Sequence, residues 1–138
     1  MYQTHSEEET KEVARHFALA LQGGEVVFLR GDLGTGKTTF VRGVAEAFGY
    51  HDPVRSPTFT ITNRYAVECG TVKHILHVDL YRIEDAEAML PLALEEEAGR
   101  ADTIVFVEWP ERDEEHILAH THEIEFTHKD DIHNINIK

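Results

Sequence analysis

The stretch Gly31-Asp32-Leu33-Gly34-Thr35-Gly36-Lys37-Thr38 decides the fold, because it follows the pattern G-x-x-x-x-G-K-[ST]. An apolar, β-branched run of strand length, Glu25 to Arg30, precedes it. An apolar series at helical spacing, residues 38–48, follows it. In this order, backbone N–H groups of the loop and the helix N-terminus point at one place and attract an anion. The stretch therefore predicts a phosphate-binding loop, in which Lys37 reaches the β- and γ-phosphates and the Thr38 hydroxyl holds Mg²⁺.

The alternative to this prediction is a glycine turn that joins a strand to a helix and binds nothing. The charge distribution favours the anion site. The segment from Arg30 to Arg64 carries five bases and three acids, whereas the whole chain has a net charge of −13. Chance unevenness is the other explanation of this difference. The strongly negative total argues against nucleic-acid binding through the whole surface.

The composition predicts one soluble, cytoplasmic domain that covers residues 1–138. A chain of 138 residues is long enough for a single hydrophobic core. Cys69 is the one cysteine, which excludes an internal disulfide and suits a reducing compartment. No apolar run reaches membrane-spanning length, and the acidic start of the chain does not have the pattern of a signal peptide.

The hydrophobic pattern predicts helices that alternate with strands. Ser6 and Glu9 form a capping box for a helix that we expect Gly23-Gly24 to end. Residues 103–107 form a continuous apolar run, which is typical of a buried central strand. The other predicted elements are a hairpin of residues 58–67 and 72–80, an extended loop of residues 51–59, two short helices in residues 84–99 that Pro91 separates, and a terminal hairpin of residues 122–128 and 132–137.

These elements predict an α/β three-layer sandwich of the P-loop NTPase type, with a mixed central sheet and antiparallel hairpins. Ligands of such sheets bind at the C-terminal ends of the parallel strands. We therefore expect Lys37, Asp79 and Glu108 on one rim, where the carboxylates could serve a bound Mg²⁺. The alternatives are that Asp79 caps a helix that begins near Tyr81, and that Glu108 forms a cap or a salt bridge.

The remaining polar residues favour plainer interpretations. The chain has ten histidines, but no cysteine or carboxylate spacing completes a zinc set, so we expect these histidines at the surface. Trp109 is expected to pack in the core or at the rim. The guanine-binding pattern N-K-x-D is absent, so a GTPase of the Ras type is not predicted.

Four motifs occur in a fixed order along the chain. They are the loop from Gly31 to Thr39, the segment Ser56-Pro57-Thr58-Phe59, the segment His77-Val78-Asp79-Leu80-Tyr81-Arg82, and the segment Val107-Glu108-Trp109-Pro110. In this combination the chain resembles the TsaE (YjeE) family, the small bacterial ATPases of tRNA threonylcarbamoyladenosine (t⁶A) synthesis. The motifs span Gly31 to Pro110, and the predicted helix before them and hairpin after them fit the same layout.

The resemblance implies an ATP- and Mg²⁺-dependent hydrolase with Lys37, Asp79 and Glu108 as catalytic residues. Thr38 and Glu108 would bind Mg²⁺, and Asp79 would orient or activate the attacking water. The segment Ser56 to Phe59 would act as a switch that senses the γ-phosphate. The implied nucleotide contacts are Glu7, Gly34, Thr35, Gly36, Lys37, Thr38, Thr39, Trp109 and His133, the last of which stands where the family pattern has arginine.

The resemblance also implies partners. The family acts with the TsaD and TsaB proteins, which carry out the t⁶A modification, and tRNA would be met only through that complex, with no membrane involved. Hydrolysis would be weak alone and stimulated by the partners. One alternative is a small P-loop kinase, with Arg55, Arg64 and Arg82 as candidate phosphate ligands from a lid. Another is a nucleotide-dependent binding module in which hydrolysis is incidental.

Overall fold

The computed structural model describes residues 1–54, 62–81, 94–113 and 118–138. Its strands are β1 (Tyr2–Thr4), β2 (Val26–Arg30), β3 (Thr62–Cys69), β4 (Val72–Asp79), β5 (Thr103–Glu108), β6 (His122–Lys129) and β7 (Ile132–Ile137). Its helices are α1 (Glu7–Ala18), α2 (Lys37–Ala47) and the short α3 (Leu94–Glu97), with a single 3₁₀ turn at Pro110–Arg112. All seven strands form one sheet in the order β1-β7-β6-β2-β5-β4-β3.

The centre of the sheet is parallel and its margins are antiparallel. β2 pairs in parallel with β5 and with β6, and β4 pairs in parallel with β5. The hairpins β3–β4 and β6–β7 extend the sheet on both sides, and β1 adds an antiparallel edge beside β7. The predicted mixed sheet with two hairpins is therefore confirmed.

The two faces of the sheet bury separate hydrophobic clusters, because successive residues of a strand point to opposite sides. On one face, Phe106 of β5 and Ile75 of β4 pack with Phe17 of α1 and Phe40 of α2. On the other face, alternate strand residues pack with Leu94 of α3 and with Leu118. Helices thus cover both faces, which confirms the predicted three layers. β5 is buried over its whole length, as its continuous apolar run predicts.

Helix α1 begins as predicted and ends earlier than predicted. The Ser6 hydroxyl accepts a hydrogen bond from the Glu9 amide at 3.1 Å, which is the expected cap. The helix stops at Ala18, not at the glycine pair, because the Leu19 amide turns back to the carbonyls of His16 and Phe17. The last turn tightens in this way before the chain enters β2.

One strand was not predicted, and one further expectation was wrong. Tyr2–Thr4 forms β1, because β7 offers it a free edge to pair with. His77 was expected at the surface with the other histidines, yet it has no exposed surface, because it lies on the face of β4 that α1 and α2 cover. Among the described residues, no helix is long and apolar enough to span a membrane. The predictions for Ser56 to Phe59 and for Pro91 lie outside the described residues.

Candidate nucleotide site

A cleft of about 670 Å³ opens beside the glycine loop, where β4 and β5 end. It gathers most of the candidate site residues from distant parts of the chain. Those that line it are Glu7, Gly34, Gly36, Lys37, Thr38, Thr39, Asp79, Glu108 and His133. Thr35 is buried in the loop, and Trp109 lies against Lys37. The convergence arises from topology, because parallel neighbours end at the same edge of the sheet.

The glycine loop joins the end of β2 to the first turn of α2. Gly36 is the N-cap of α2 with a φ of 106°, a left-handed conformation that favours glycine. The Thr35 hydroxyl donates a hydrogen bond to the Asp32 carbonyl at 2.7 Å, which closes the loop on itself. A side chain at Gly31 would meet the Phe126 carbonyl at 2.5 Å, so the loop also packs tightly against β6.

Lys37 is almost fully buried at the base of the cleft, with 4 % of its surface exposed. Its ammonium group donates to the Gly31 carbonyl at 2.5 Å and lies 3.8 Å from Glu108 Oε1. It also lies 4.3 Å from the centre of the Trp109 ring, a cation–π distance. Burial lowers the pKa of Lys37, and the negative charges of Glu108 and Asp79 oppose that shift.

Asp79 and Glu108 are the last residues of β4 and β5 and lie opposite each other in the parallel register. Asp79 Oδ1 accepts a hydrogen bond from the Tyr81 amide at 2.9 Å. This bond matches the capping alternative, although the chain after Tyr81 lies outside the described residues. Burial raises the pKa of Asp79, and the Tyr81 amide opposes the shift.

Glu108 is 3 % exposed and is held from two sides. Its Oε1 faces Lys37, and its Oε2 lies 2.5 Å from His77 Nε2. The sequence interpretation missed His77, and it also missed Asp130 and Asp131, which line the cleft. The sequence could have indicated His77, because side chains alternate between the two faces of a strand and His77 therefore lies on the same face of β4 as Asp79.

Trp109 follows Glu108 and turns the chain sharply. It has a φ of 59° and a ψ of 49°, a left-handed conformation that is uncommon for a residue with a side chain. Its ring packs on Tyr81 with the ring centres 5.0 Å apart, and the Arg112 guanidinium lies 5.8 Å from the centre of the Tyr81 ring. The turn therefore places an aromatic pair next to the buried lysine, at the rim that the sequence predicts.

The outer side of the cleft comes from both ends of the chain. His133 Nδ1 lies 3.1 Å from the Thr35 carbonyl, and because a carbonyl only accepts, this nitrogen carries the proton. Thr4 of β1 pairs with His133 in the sheet, and its hydroxyl bonds to the Thr10 hydroxyl at 2.7 Å. The pairing of β1 with β7 therefore brings the start of α1, with Glu7, to the glycine loop.

The charges of the cleft suit a cation together with an anion. Its acidic lining residues outnumber the single lysine, and they are Glu7, Asp79, Glu108, Asp130 and Asp131. A bare polyphosphate would be repelled here, whereas a divalent cation would compensate the charge. The described residues contain no cluster of three or more His, Cys, Asp or Glu suited to a metal. A hydroxyl and a carboxylate fit Mg²⁺, which keeps several waters and phosphate oxygens as ligands.

The fold and the cleft define an α/β protein in which a G-x-x-x-x-G-K-T loop joins a central parallel strand to a helix. The family model described as threonylcarbamoyl adenosine biosynthesis protein TsaE matches residues 4–135. The chain therefore belongs to the TsaE family.

Individual relatives agree with this assignment. The chain is 44% identical to the tRNA threonylcarbamoyladenosine biosynthesis protein TsaE of Aquifex aeolicus over 110 residues, 78% of this chain and 74% of that one. It is 40% identical to the Bacillus subtilis TsaE over 116 residues, 84% of this chain and 70% of that one. The crystal structure of Bacillus subtilis YdiB superposes with a TM-score of 0.73 at 31% identity, covering 99% of this chain and 82% of that one.

Proposed function

We propose that this chain binds ATP with Mg²⁺ in the cleft and hydrolyses it, and so supports t⁶A synthesis by the TsaD and TsaB proteins in the cytoplasm. The observation that carries the proposal is the convergence of Lys37, Asp79 and Glu108 beside the glycine loop, at the ends of neighbouring parallel strands. Two relatives named as tRNA threonylcarbamoyladenosine biosynthesis proteins support the pathway. We assign the activity to a single domain of residues 1–138.

The loop and Lys37 would bind the β- and γ-phosphates. The positive charge of the buried Lys37 ammonium group is only partly compensated by Glu108, because the nearest carboxylate oxygen of that residue is 3.8 Å away. Gly34, Gly36 and Thr39 line the same part of the cleft. A phosphate group would therefore supply charge-assisted hydrogen bonds that the described protein groups provide only in part.

Thr38 and Glu108 would hold Mg²⁺, because a hydroxyl and a carboxylate supply the oxygen ligands that this ion prefers. When bound, Mg²⁺ neutralises charge on the phosphates and polarises the bond to be broken. Glu108 would offer its carboxylate oxygen beside Lys37, whose ammonium group lies 3.8 Å from Glu108 Oε1.

Asp79 would orient the attacking water or accept its proton. The Tyr81 amide donates a hydrogen bond to Oδ1 of Asp79, and this bond fixes the orientation of the carboxylate. Burial raises the pKa of Asp79, which makes the ionised carboxylate a stronger base than an exposed aspartate. Glu7, His133 and Trp109 would contact the nucleotide or position the groups that do.

Radiolabelled ATP tests the proposal directly. We expect slow release of phosphate by the purified chain and faster release when TsaD, TsaB and tRNA are added. Lys37→Ala should abolish the stimulated reaction, whereas Lys129→Ala, an exposed lysine at the end of β6, should leave it unchanged. If Lys37→Ala retains partner-stimulated hydrolysis, the site assignment fails.

The same assay separates the two other candidate functions. Transfer of label to a nucleoside or metabolite, not to water, would support the small kinase. Of its candidate lid residues, Arg64 donates to Glu97 at 2.7 Å, so its guanidinium already has a partner, while Arg55 and Arg82 lie outside the described residues. Full t⁶A formation by a Glu108→Ala variant that binds ATP without hydrolysing it would support the binding module.

A further inference from the structure

His77 is a fully buried imidazole that the proposed chemistry does not yet use. Its Nε2 lies 2.5 Å from Glu108 Oε2, and both side chains are almost completely removed from solvent. Its other nitrogen, Nδ1, is also buried and has no hydrogen-bond partner among the described residues. A buried polar atom without a partner costs about 1–3 kcal/mol, so an apolar residue would suit this position better if packing alone mattered.

The register of the parallel strands creates the contact. His77 of β4 lies opposite Phe106 of β5, and Glu108 follows Phe106 by two residues. Because side chains alternate between faces, His77 and Glu108 are diagonal neighbours on the face that α1 and α2 cover. The imidazole therefore lies behind Glu108, on the side away from the strand ends where the cleft opens.

The chemistry of His77 and Glu108 determines which of the two donates the hydrogen bond between them. A carboxylate that binds a metal ion is ionised and only accepts hydrogen bonds, so in the metal-bound site the proton of this bond would lie on His77 Nε2. A second proton, on Nδ1, would need a hydrogen-bond acceptor, and Nδ1 has no partner among the described residues. The ring thus serves as a donor that fixes one carboxylate oxygen, while Oε1 stays 3.8 Å from Lys37.

We propose that His77 is a positioning residue for Glu108, which it holds in the orientation that presents Oε1 to Lys37 and to a metal bound in the cleft. The inference rests on the proposed Mg²⁺-nucleotide site. A glutamate side chain has three rotatable bonds, and a ligand left free to rotate loses affinity for its metal. Hydrogen bonds to a ligating side chain are typically responsible for about 10–100-fold of metal affinity.

The test compares metal affinity, not turnover, in variants of the full chain. Mn²⁺ binding is measured by electron paramagnetic resonance in the presence of a non-hydrolysable ATP analogue, and binding of the analogue is measured without metal. His77→Phe removes the donor, whereas His77→Gln keeps an amide N–H close to the position of Nε2. We expect His77→Phe to weaken Mn²⁺ binding by about tenfold or more, and His77→Gln to restore most of this loss.

His74 provides a matched control on the same strand. Its Nδ1 is likewise buried without a partner among the described residues, but period two places its side chain on the other face of β4. His74→Phe should therefore leave Mn²⁺ affinity unchanged. If His77→Phe does not fold, His77→Asn serves in its place, since its amide is one bond too short to reach Glu108.

The outcomes separate the two proposals. Unchanged Mn²⁺ affinity in His77→Phe, or an equal loss in His74→Phe, would overturn the positioning role alone. A loss of metal-free analogue binding equal to the loss of Mn²⁺ binding would also overturn it, because His77 would then act on the whole fold. If the wild-type chain binds neither the analogue nor Mn²⁺, the proposed function fails, and the positioning role fails with it.

Discussion

Asp79 and Glu108 lie opposite each other at the ends of β4 and β5, yet their surroundings differ. Glu108 is held by the His77 imidazole and lies near the Lys37 ammonium group. Asp79 accepts a hydrogen bond from the Tyr81 amide, and burial dominates the rise of its pKa. Two neighbouring carboxylates in different environments are suited to different tasks, which supports the roles proposed above for Glu108 as a metal ligand and for Asp79 as a proton acceptor.

The raised pKa of Asp79 predicts that Asp79→Asn stabilises the nucleotide-free protein. Because the folded state holds this proton more tightly than the unfolded state, the wild type loses stability as pH rises. The difference in the free energy of unfolding between variant and wild type should be smallest below the ordinary aspartate pKa of about 3.9. It should reach its maximum above the raised pKa of Asp79 in the folded protein. The asparagine oxygen can still accept from the Tyr81 amide. Thermal unfolding across this pH range measures the difference.

The same Asp79→Asn variant should lose about 10²–10⁴-fold in the proposed hydrolysis while it still binds ATP, because the proposed base or water-orienting group is gone. Asp102, directly before β5, supplies the control, since the Thr103 hydroxyl lowers its pKa. Asp102→Asn should leave hydrolysis unchanged and should not stabilise the fold. Equal unfolding temperatures of Asp79→Asn and wild type at neutral pH would contradict the burial argument.

Gly43 predicts an exception to helix propensity. Alanine normally stabilises a helix relative to glycine by about 1 kcal/mol. A Cβ at Gly43, however, would lie 2.7 Å from Ala14 Cβ and 2.9 Å from Lys11 Cα, because α2 packs closely on α1. Overpacking of this kind costs about 1–3 kcal/mol, so we expect Gly43→Ala to lower the urea midpoint of unfolding.

A double variant tests the cause of that loss. Gly43→Ala combined with Ala14→Gly removes the closest side-chain atom and should recover stability beyond the sum of the two single changes. Recovery should be partial, since the Lys11 backbone stays in place. A higher midpoint in Gly43→Ala alone would mean that the two helices separate without cost.

Local sequence signals predicted the parts of this fold that short-range chemistry controls. The loop at Gly31 to Thr38, the cap at Ser6 and the continuous strand β5 follow from neighbouring residues alone. β1 could not be predicted in this way, because three residues carry too little periodicity and their order comes from pairing with β7. His77 was missed because its type was weighed without its face on β4.

The rim of the site was predictable for a similar reason. Asp79 and Glu108 each follow an apolar run, and the rule for parallel strands places such residues together. The contact between His77 and Glu108 could not be predicted. It depends on the register between β4 and β5, which the sequence of either strand alone does not determine. The contact of His133 with Thr35, 98 residues apart, is of the same kind.

The bond from His133 to the glycine loop predicts a measurable contribution to nucleotide affinity. His133→Ala removes the donor to the Thr35 carbonyl and leaves the loop less constrained. A hydrogen bond of this type contributes about 0.5–1.5 kcal/mol, so we expect the Kd for ATP to rise roughly two- to tenfold. Titration with a fluorescent ATP analogue measures the change. His128→Ala is the control, because His128 is exposed and its ring lies 5.7 Å from that of His133.

The acidic mouth of the cleft predicts how strongly nucleotide binding depends on metal. Asp130 and Asp131 line the cleft from the β6–β7 turn, where their charges repel a polyphosphate. We expect removal of Mg²⁺ with EDTA to weaken ATP binding. Replacing both aspartates with asparagine should recover part of that loss, roughly three- to tenfold in Kd at low salt. Calorimetric titrations with and without Mg²⁺ give the four affinities.

Ionic strength distinguishes this electrostatic effect from a direct contact. The charges at the mouth of the cleft act through solvent, and salt shortens the distance over which they act to about 8 Å at physiological ionic strength. The gain in metal-free ATP affinity of the double variant should therefore shrink as salt is added. Glu68→Gln removes one negative charge near the end of β3, outside this cleft, and should alter neither affinity. An equal gain with and without Mg²⁺ would contradict the argument, because metal-bound ATP carries less charge for the two aspartates to repel.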